Sequence, residues 1–324
     1  MSKAACRMLV TGANGFVGNA VLARASADSS LLLRGTVRRH AVDLPAGVEP
    51  VQVADLAPDT DWRQALSGVD IVVHTAARVH VMRDSAVNPL AEFRRVNVAG
   101  TLNLARQAAA AGVRRFVFVS SIKVNGEATS GDRKFTERDE PAPQDPYGVS
   151  KWEAEQVLYQ VADEAGIEVV IVRLPLVYGP GVKGNFAQML NVVAKKIPLP
   201  FASIHNRRSL IYLGNLADAL FACAMHPAAV DQTYLVCDGE DISTSDLLRQ
   251  LAAGMQVPSR LFPCPSALLR MAGKLTGTSP QLERLLGSLR VDGDKMRRDL
   301  NWVPPYSLQQ GLRSTAEWHR TKYK

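Results

Sequence analysis

The stretch Arg7-Met8-Leu9-Val10-Thr11 and its continuation Gly12-Ala13-Asn14-Gly15-Phe16-Val17-Gly18 decide the fold. The apolar run predicts a strand over 7–11. The pattern that follows predicts a helix over 16–25, on which Val17, Val21 and Leu22 share a face. Glycines placed between a strand and a helix let backbone N–H groups come close to a diphosphate at the helix N-terminus. A tight turn without a ligand would use the same residues, so the position between the two elements gives the motif its weight.

Outward from this unit the pattern repeats. Strands are expected over 31–37, 51–53, 69–74, 115–120 and 169–173, with helices over 61–67, 93–111 and 147–165. Several of these strands are Val-, Ile- or Phe-rich without alternation, as expected when helices cover both faces of a parallel sheet. The chain therefore reads as α/β, a Rossmann-type doubly wound parallel sheet, with a smaller C-terminal α/β substrate lobe. After Arg173, the prolines Pro175, Pro180, Pro198 and Pro200 break the regular alternation. The expected boundaries are 1–174 for the dinucleotide domain, with a return segment near 210–238 that includes a strand over 233–236. Residues 175–209 and 239–324 then form the lobe, with helices over 243–255 and 266–274 and an irregular stop at Trp302-Val303-Pro304-Pro305. Arg313, Arg320, Lys322 and Lys324 near the C-terminus read as a solvated helix end.

Composition narrows the class. The 324 residues carry 38 Lys plus Arg against 31 Asp plus Glu, a formal charge of +7, with 47% hydrophobic and 21% charged residues; disordered and fibrous classes are excluded. Cys6, Cys223, Cys237 and Cys264 form no Cys-x-x-Cys pair, so free thiols and no metal site are expected. No apolar run approaches the roughly 18 residues that span a bilayer, and Met1 to Val10 hold too short an apolar stretch for a signal peptide; a cytoplasmic protein with no membrane partner is expected. The basic residues come as scattered doublets without interleaved aromatics, which favours small anionic ligands over nucleic acid.

Two constellations carry chemistry. About 20 residues past the last glycine, where an acidic residue would select NAD(H), stand Arg38 and Arg39. A guanidinium there suits a 2′-phosphate, so NADP(H) is preferred and NAD(H) remains possible; two exposed arginines after a strand are the plain alternative. Tyr147 and Lys151, at i and i+4, share one helix face, and the fifth strand ends in Ser120-Ser121, where an open α/β sheet gathers its reacting groups. The expected chemistry is proton transfer by Tyr147, with Ser121 bonding the reacting oxygen. Lys151 and a positively charged nicotinamide would lower the phenol's pKa from about 10 by about three units, which needs about 4 kcal/mol.

Together with His74-Thr-Ala-Ala77, Asn97-Val-Ala-Gly-Thr101, Val119 to Gly126 and Arg173 to Gly181, these segments resemble the extended short-chain dehydrogenases/reductases, in the group of NAD-dependent epimerases/dehydratases. The resemblance implies a catalytic set of Ser121, Tyr147 and Lys151. It implies cofactor contacts at Gly12, Asn14, Gly15, Phe16, Val17, Gly18, Asp55, Leu56, Ala76, Ala77, Asn97, Pro175 and Val177, besides Tyr147, Lys151 and the two arginines. For a UDP-sugar substrate it implies Ser121, Lys123, Asn185, Pro200, Arg208 and Arg284, and for the assembly a homodimer through the helices over 93–111 and 147–165. With Arg38-Arg39 in place of an acid, and Lys123 and Asn125 after the serines, the chain is most similar to O-antigen reductases. These use NADPH to reduce the C4 ketone of a UDP-4-keto-6-deoxy-N-acetylhexosamine, giving UDP-QuiNAc or UDP-FucNAc. The alternatives are a UDP-hexose 4-epimerase with bound NAD and a non-catalytic dinucleotide-binding regulator.

Overall fold

The computed structural model describes residues 5–39, 43–79, 88–277 and 279–322. The strands are β1 (Cys6–Thr11), β2 (Leu31–Val37), β3 (Val48–Gln52), β4 (Ile71–His74), β5 (Arg115–Ser121), β6 (Glu168–Leu174), β7 (Leu176–Tyr178), β8 (Arg208–Tyr212), β9 (Thr233–Leu235) and β10 (Asp241–Ile242). The helices of the first part are α1 (Phe16–Ala25), α2 (Arg63–Leu66), α3 (Pro89–Phe93), α4 (Gly100–Ala110) and α5 (Pro146–Ala165). Those that follow are α6 (Gly184–Ala194), α7 (Leu213–Met225), α8 (Thr244–Gly254), α9 (Ser266–Thr276), α10 (Ser279–Leu286), α11 (Asp294–Leu300) and α12 (Leu308–Lys322).

The main sheet runs β3-β2-β1-β4-β5-β6-β9 and is parallel throughout. Successive side chains point to opposite faces, so each central strand feeds two cores. Met8, Val10, Ile71, Val73, Val117 and Val170 pack with Val21 and Leu22 of α1 and Leu216 and Leu220 of α7. Leu9, Val72, Phe116, Phe118 and Val169 pack on the other side with Leu104 of α4 and Leu158 of α5. This double cover explains the lack of alternation in the strands. The strand order reverses between β1 and β4, the crevice where such sheets bind ligands beyond the strands' carboxyl ends.

The helix expected over 93–111 is divided. α3 and α4 are joined by a turn of π-helix over Arg94–Ala99, and its wider winding carries Asn97 into the interior. α5 is firmly delimited: the Asp145 side chain accepts from Gly148 N–H, Pro146 opens the first turn, and Gly166 ends the helix at φ +67°.

β7, β8 and β10 form a small second sheet. Tyr178, Phe186, Leu190, Leu210, Leu248, Leu251, Leu312 and Ala316 make its core with α6, α8 and α12. β9 lies beside β6 in the main sheet, where the strand over 233–236 was expected. The solvated helix end is α12; Leu308, Leu312, Ala316 and His319 are buried on its inner face, while Arg313 is exposed and bonds Glu317 at 2.9 Å. Lys324 lies outside the described residues. Among the described residues no helix is long and apolar enough to cross a membrane.

Candidate active site

β1 ends at the glycine turn. Gly12 adopts φ +66°, and a Cβ at Gly18 would lie 2.3 Å from the Gly12 carbonyl oxygen and 2.8 Å from Thr75 Oγ1. Only glycine lets α1 start this close to the strand ends. Gly15, extended at the N-cap, gives the first turn no side-chain cap, and Asn14 and Gly15 are exposed. The open N–H groups at this helix start suit a diphosphate, so the turn fits a dinucleotide. Phe16 leans on the core of the small lobe and Val17 on that of the main sheet.

Behind the turn, Thr11 Oγ1 lies 2.7 Å from His74 Nδ1 and accepts from Ala76 N–H at 3.2 Å, and His74 Nε2 lies 3.1 Å from Thr101 Oγ1. Burial, with the Lys151 charge, pushes His74 down to about 3, so the imidazole is neutral and structural. Ala76 and Ala77 follow at the crevice edge, half-buried. Leu56 packs where a Cβ at Gly100 would sit, 2.9 Å from its Cγ. Asn97 is buried; its amide nitrogen donates to the Arg78 carbonyl and Ser150 Oγ, both at 3.0 Å, and so ties the π-turn to α5. At the β2 end, Arg38 Nη1 bonds Asp55 Oδ1 at 3.0 Å with both side chains strongly exposed, and Arg39 is exposed beside them. Pro175 is buried and Val177 half-buried just beyond β6.

Ser121, Tyr147 and Lys151 come together. Ser121 ends β5, where its Oγ accepts from Lys123 N–H at 3.3 Å and stands close enough to the Tyr147 phenol to oppose the rise of its pKa. Tyr147 stands edge-on to Phe93 with centroids 6.0 Å apart, while Lys151 Nζ lies 3.9 Å from the centroid of the Phe118 ring. The electrostatics differ from expectation. Burial, helped by the Asp145 charge and opposed by the Ser121 hydroxyl, raises Tyr147 to about 12. Burial lowers Lys151 to about 7 against the pull of Glu155. The expected lowering of the phenol by Lys151 is thus not met by the protein alone, because desolvation penalises both charged forms more than either group helps the other.

This has a measurable consequence for stability. Between pH 7 and about 10.5 the unfolded chain keeps a proton on Lys151 that the folded protein has released, so the unfolded state binds more protons and stability rises with pH. Tyr147 acts oppositely only above pH 10, where the unfolded phenol ionises first. In urea unfolding without dinucleotide, Lys151→Met is expected to gain about 2 kcal/mol less than the parent between pH 7 and pH 9. Equal gains in the two proteins would refute the assignment.

Sequence reasoning missed the support under this set. Glu155, fully buried, continues the Tyr147–Lys151 row by one more turn. Its carboxylate accepts from Ser120 Oγ at 2.5 Å and from Arg173 Nε and Nη2 at 3.0 and 2.6 Å, and Arg173 Nη1 reaches Asn125 Oδ1 at 3.1 Å. The signal was present: a carboxylate eight residues past Tyr147 and an arginine inside an apolar strand.

The sugar-side residues divide. Lys123 Nζ is held by Asp145 and by Glu127 at 2.9 Å. Arg208 Nη1 donates to the Arg284 carbonyl at 2.6 Å, and burial with the nearby Arg284 charge lowers the Arg208 pKa, so two guanidinium groups share one neighbourhood. Asn185 is exposed in the first turn of α6 and Pro200 half-buried beyond it. No group of three metal-ligating side chains stands together among the described residues.

Comparison with known proteins points to one family. A "UDP-glucose 4-epimerase" of Vibrio cholerae is 45% identical over 311 residues, covering 96% of this chain and 94% of the relative. An "N-acetyl-alpha-D-glucosaminyl-diphospho-ditrans,octacis-undecaprenol 4-epimerase" of Escherichia coli O157:H7 is 29% identical over 96% of the chain and 94% of the relative. The crystal structure of UDP-glucuronic acid 4-epimerase from Bacillus cereus in complex with NAD has the same fold: TM-score 0.78, 20% identity, 98% of this chain and 100% of that one covered. Residues 8–237 match the model of the NAD dependent epimerase/dehydratase family. With its glycine turn, its Ser-Tyr-Lys set and this match over most of its length, the chain belongs to that family, among the extended short-chain dehydrogenases/reductases.

Proposed function

We propose that the chain exchanges hydride at C4 of a UDP-sugar, and that the exchange serves 4-epimerisation with a dinucleotide that stays bound. The observation that carries this reading is the approach of Ser121, at the C-terminal end of β5, to the Tyr147 phenol, which itself lies one helical turn from Lys151 on α5. With Lys151 and a nicotinamide's positive charge favouring its anion, the Tyr147 phenolate would take the proton of the 4-hydroxyl as hydride leaves C4, and the resulting phenol would return it after hydride has come back to the opposite face; Ser121 Oγ bonds the same oxygen throughout. A bound oxidised nicotinamide supplies the hydride acceptor and a positive charge. The neighbouring Arg208 and Arg284 suit the two phosphates of a sugar nucleotide, and the activity for which the Vibrio relative is named supports the same substrate class. Pairing of α4 and α5 across a two-fold axis belongs to the same proposal.

A second reading, reduction of a UDP-4-ketosugar by NADPH, draws its support from Arg38 and Arg39 at the end of β2. Against it stands the ion pair that already engages Arg38 with Asp55. One assay separates the two. Epimerisation requires that protein denatured after purification release dinucleotide in near-equal amount, and that UDP-glucose and UDP-galactose interconvert without added cofactor. Protein that is empty, and that oxidises added NADPH only with a ketosugar, would replace the first reading by the second.

A further inference from the structure

We infer that the outer face of α9, with the segment hydrogen-bonded beside its approach, is a docking surface for an anionic lipid bilayer. The inference goes beyond the proposed reaction and does not depend on it. Five of the ten strongly exposed large apolar side chains among the described residues lie on α9 or on the paired segments that lead to it: Leu268, Met271 and Leu275, the last 82% exposed, on the helix, and Ile197 and Phe262 on the segments. Leu268, Met271 and Leu275 follow the i, i+3, i+7 spacing of one helix face. The other face is already covered. Leu269 packs with Ile204 and Leu286, and Gly273 lies against Leu282 of α10, so burial within this chain does not account for the outer residues.

Charge decides the occupant. From Leu247 to Leu282 the sequence holds no Asp or Glu, while Arg260, Arg270 and Lys274 lie in or beside α9. Leu199 N–H bonds the Arg260 carbonyl at 2.9 Å and Phe262 N–H bonds the Leu199 carbonyl at 3.0 Å. Lys196, Ile197 and Arg260 line one depression, and the exposed Lys195 precedes them in sequence. Arg270 is engaged by Glu283 at 3.0 Å. An apolar helix face bordered by cations is the pattern of a helix that lies in a bilayer interface, its apolar side chains among the acyl chains and its ammonium groups at the headgroups. A second copy meeting this same patch about a two-fold axis would bring the cations against their own equals, which disfavours self-association through it. No spanning helix is needed for such a contact. α9 packs on α10, which carries Arg284, so the docked face would stand one helix away from the proposed diphosphate site.

The test is sedimentation of the full chain with vesicles at low salt, equimolar phosphatidylglycerol and phosphatidylcholine against phosphatidylcholine alone. The protein is expected to pellet with the anionic vesicles and to be released as salt rises. At about fivefold per cation near an anionic surface, joint Lys195→Gln, Lys196→Gln and Lys274→Gln should weaken binding on the order of a hundredfold. Joint Leu268→Ser, Met271→Ser and Leu275→Ser should abolish it, with an unchanged urea midpoint reporting an intact fold. Parent protein that stays in the supernatant, or binding that survives both sets of replacements, would overturn the proposal. So would light scattering in which the serine replacements halve the mass of a protein that never meets the vesicles, since the face would then cover a second copy.

Discussion

Tyr147→Phe should lower kcat by about 10³-fold while substrate and dinucleotide bind nearly as in the parent, because general acid–base groups contribute about 10²–10⁴-fold. The substitution deletes one oxygen. The ring keeps its edge contact with Phe93, and the α5 N-terminus keeps its Asp145 cap and Pro146, so the backbone has no reason to move. What is lost is the phenol oxygen that stands beside Ser121 at the end of β5. The Phe ring also leaves no buried hydroxyl to desolvate, so thermal stability should hold or rise slightly. Single-turnover hydride transfer monitored at the nicotinamide separates chemistry from binding. A variant with undiminished transfer would remove Tyr147 from the reaction, and with it the proposed use of the site for either epimerisation or reduction; a dinucleotide-binding regulator would then be the better account.

The first half of the chain was legible because its signals are local. A strand, three glycines and a helix within some twenty residues announce the turn at Gly12–Gly18, and the Tyr147–Lys151 spacing lies within one helical turn. What stayed hidden depends on partners distant in sequence. α7, Leu213–Met225, is apolar nearly all round because it is packed between α1 and the sheets, so it shows no clean amphipathic period. α6 follows a proline- and glycine-rich stretch that masks its start; it begins at Gly184, whose φ is +64°. The division of the helix over 93–111 was invisible for another reason. Its π-turn has ordinary helix formers on both sides, and only the need to bring Asn97 to Ser150 and the Arg78 carbonyl explains the extra width. Electrostatics failed in the same way: the Tyr147–Lys151 pair is readable, but the burial that moves both pKa values belongs to the folded surroundings.

Glu155→Gln should destabilise the protein by about 3–5 kcal/mol, the usual cost of removing one member of a buried ion pair. The isostere keeps the shape and can still accept from Ser120, but it leaves the Arg173 guanidinium, 4% exposed, without its counter-charge. Arg173 has one further described acceptor, Asn125 Oδ1, and that oxygen carries no charge. The damage would not be confined to stability. Ser120 adjoins Ser121, Arg173 lies on the neighbouring strand, and Glu155 sits one turn past Lys151, so this carboxylate joins β5, β6 and α5 directly beneath the reacting groups. It is also the negative charge that raises the Lys151 pKa, so its loss should lower that pKa further below about 7. Pairing the change with Arg173→Gln separates charge from shape. With neither charge buried alone, the double variant should recover a large part of the lost stability, because the penalty resides in the uncompensated guanidinium rather than in the missing contact. Urea unfolding of the parent, both single variants and the double variant closes the cycle; single losses below about 1 kcal/mol, or a double variant that merely adds them, would show that the pair does not hold this layer of the site together.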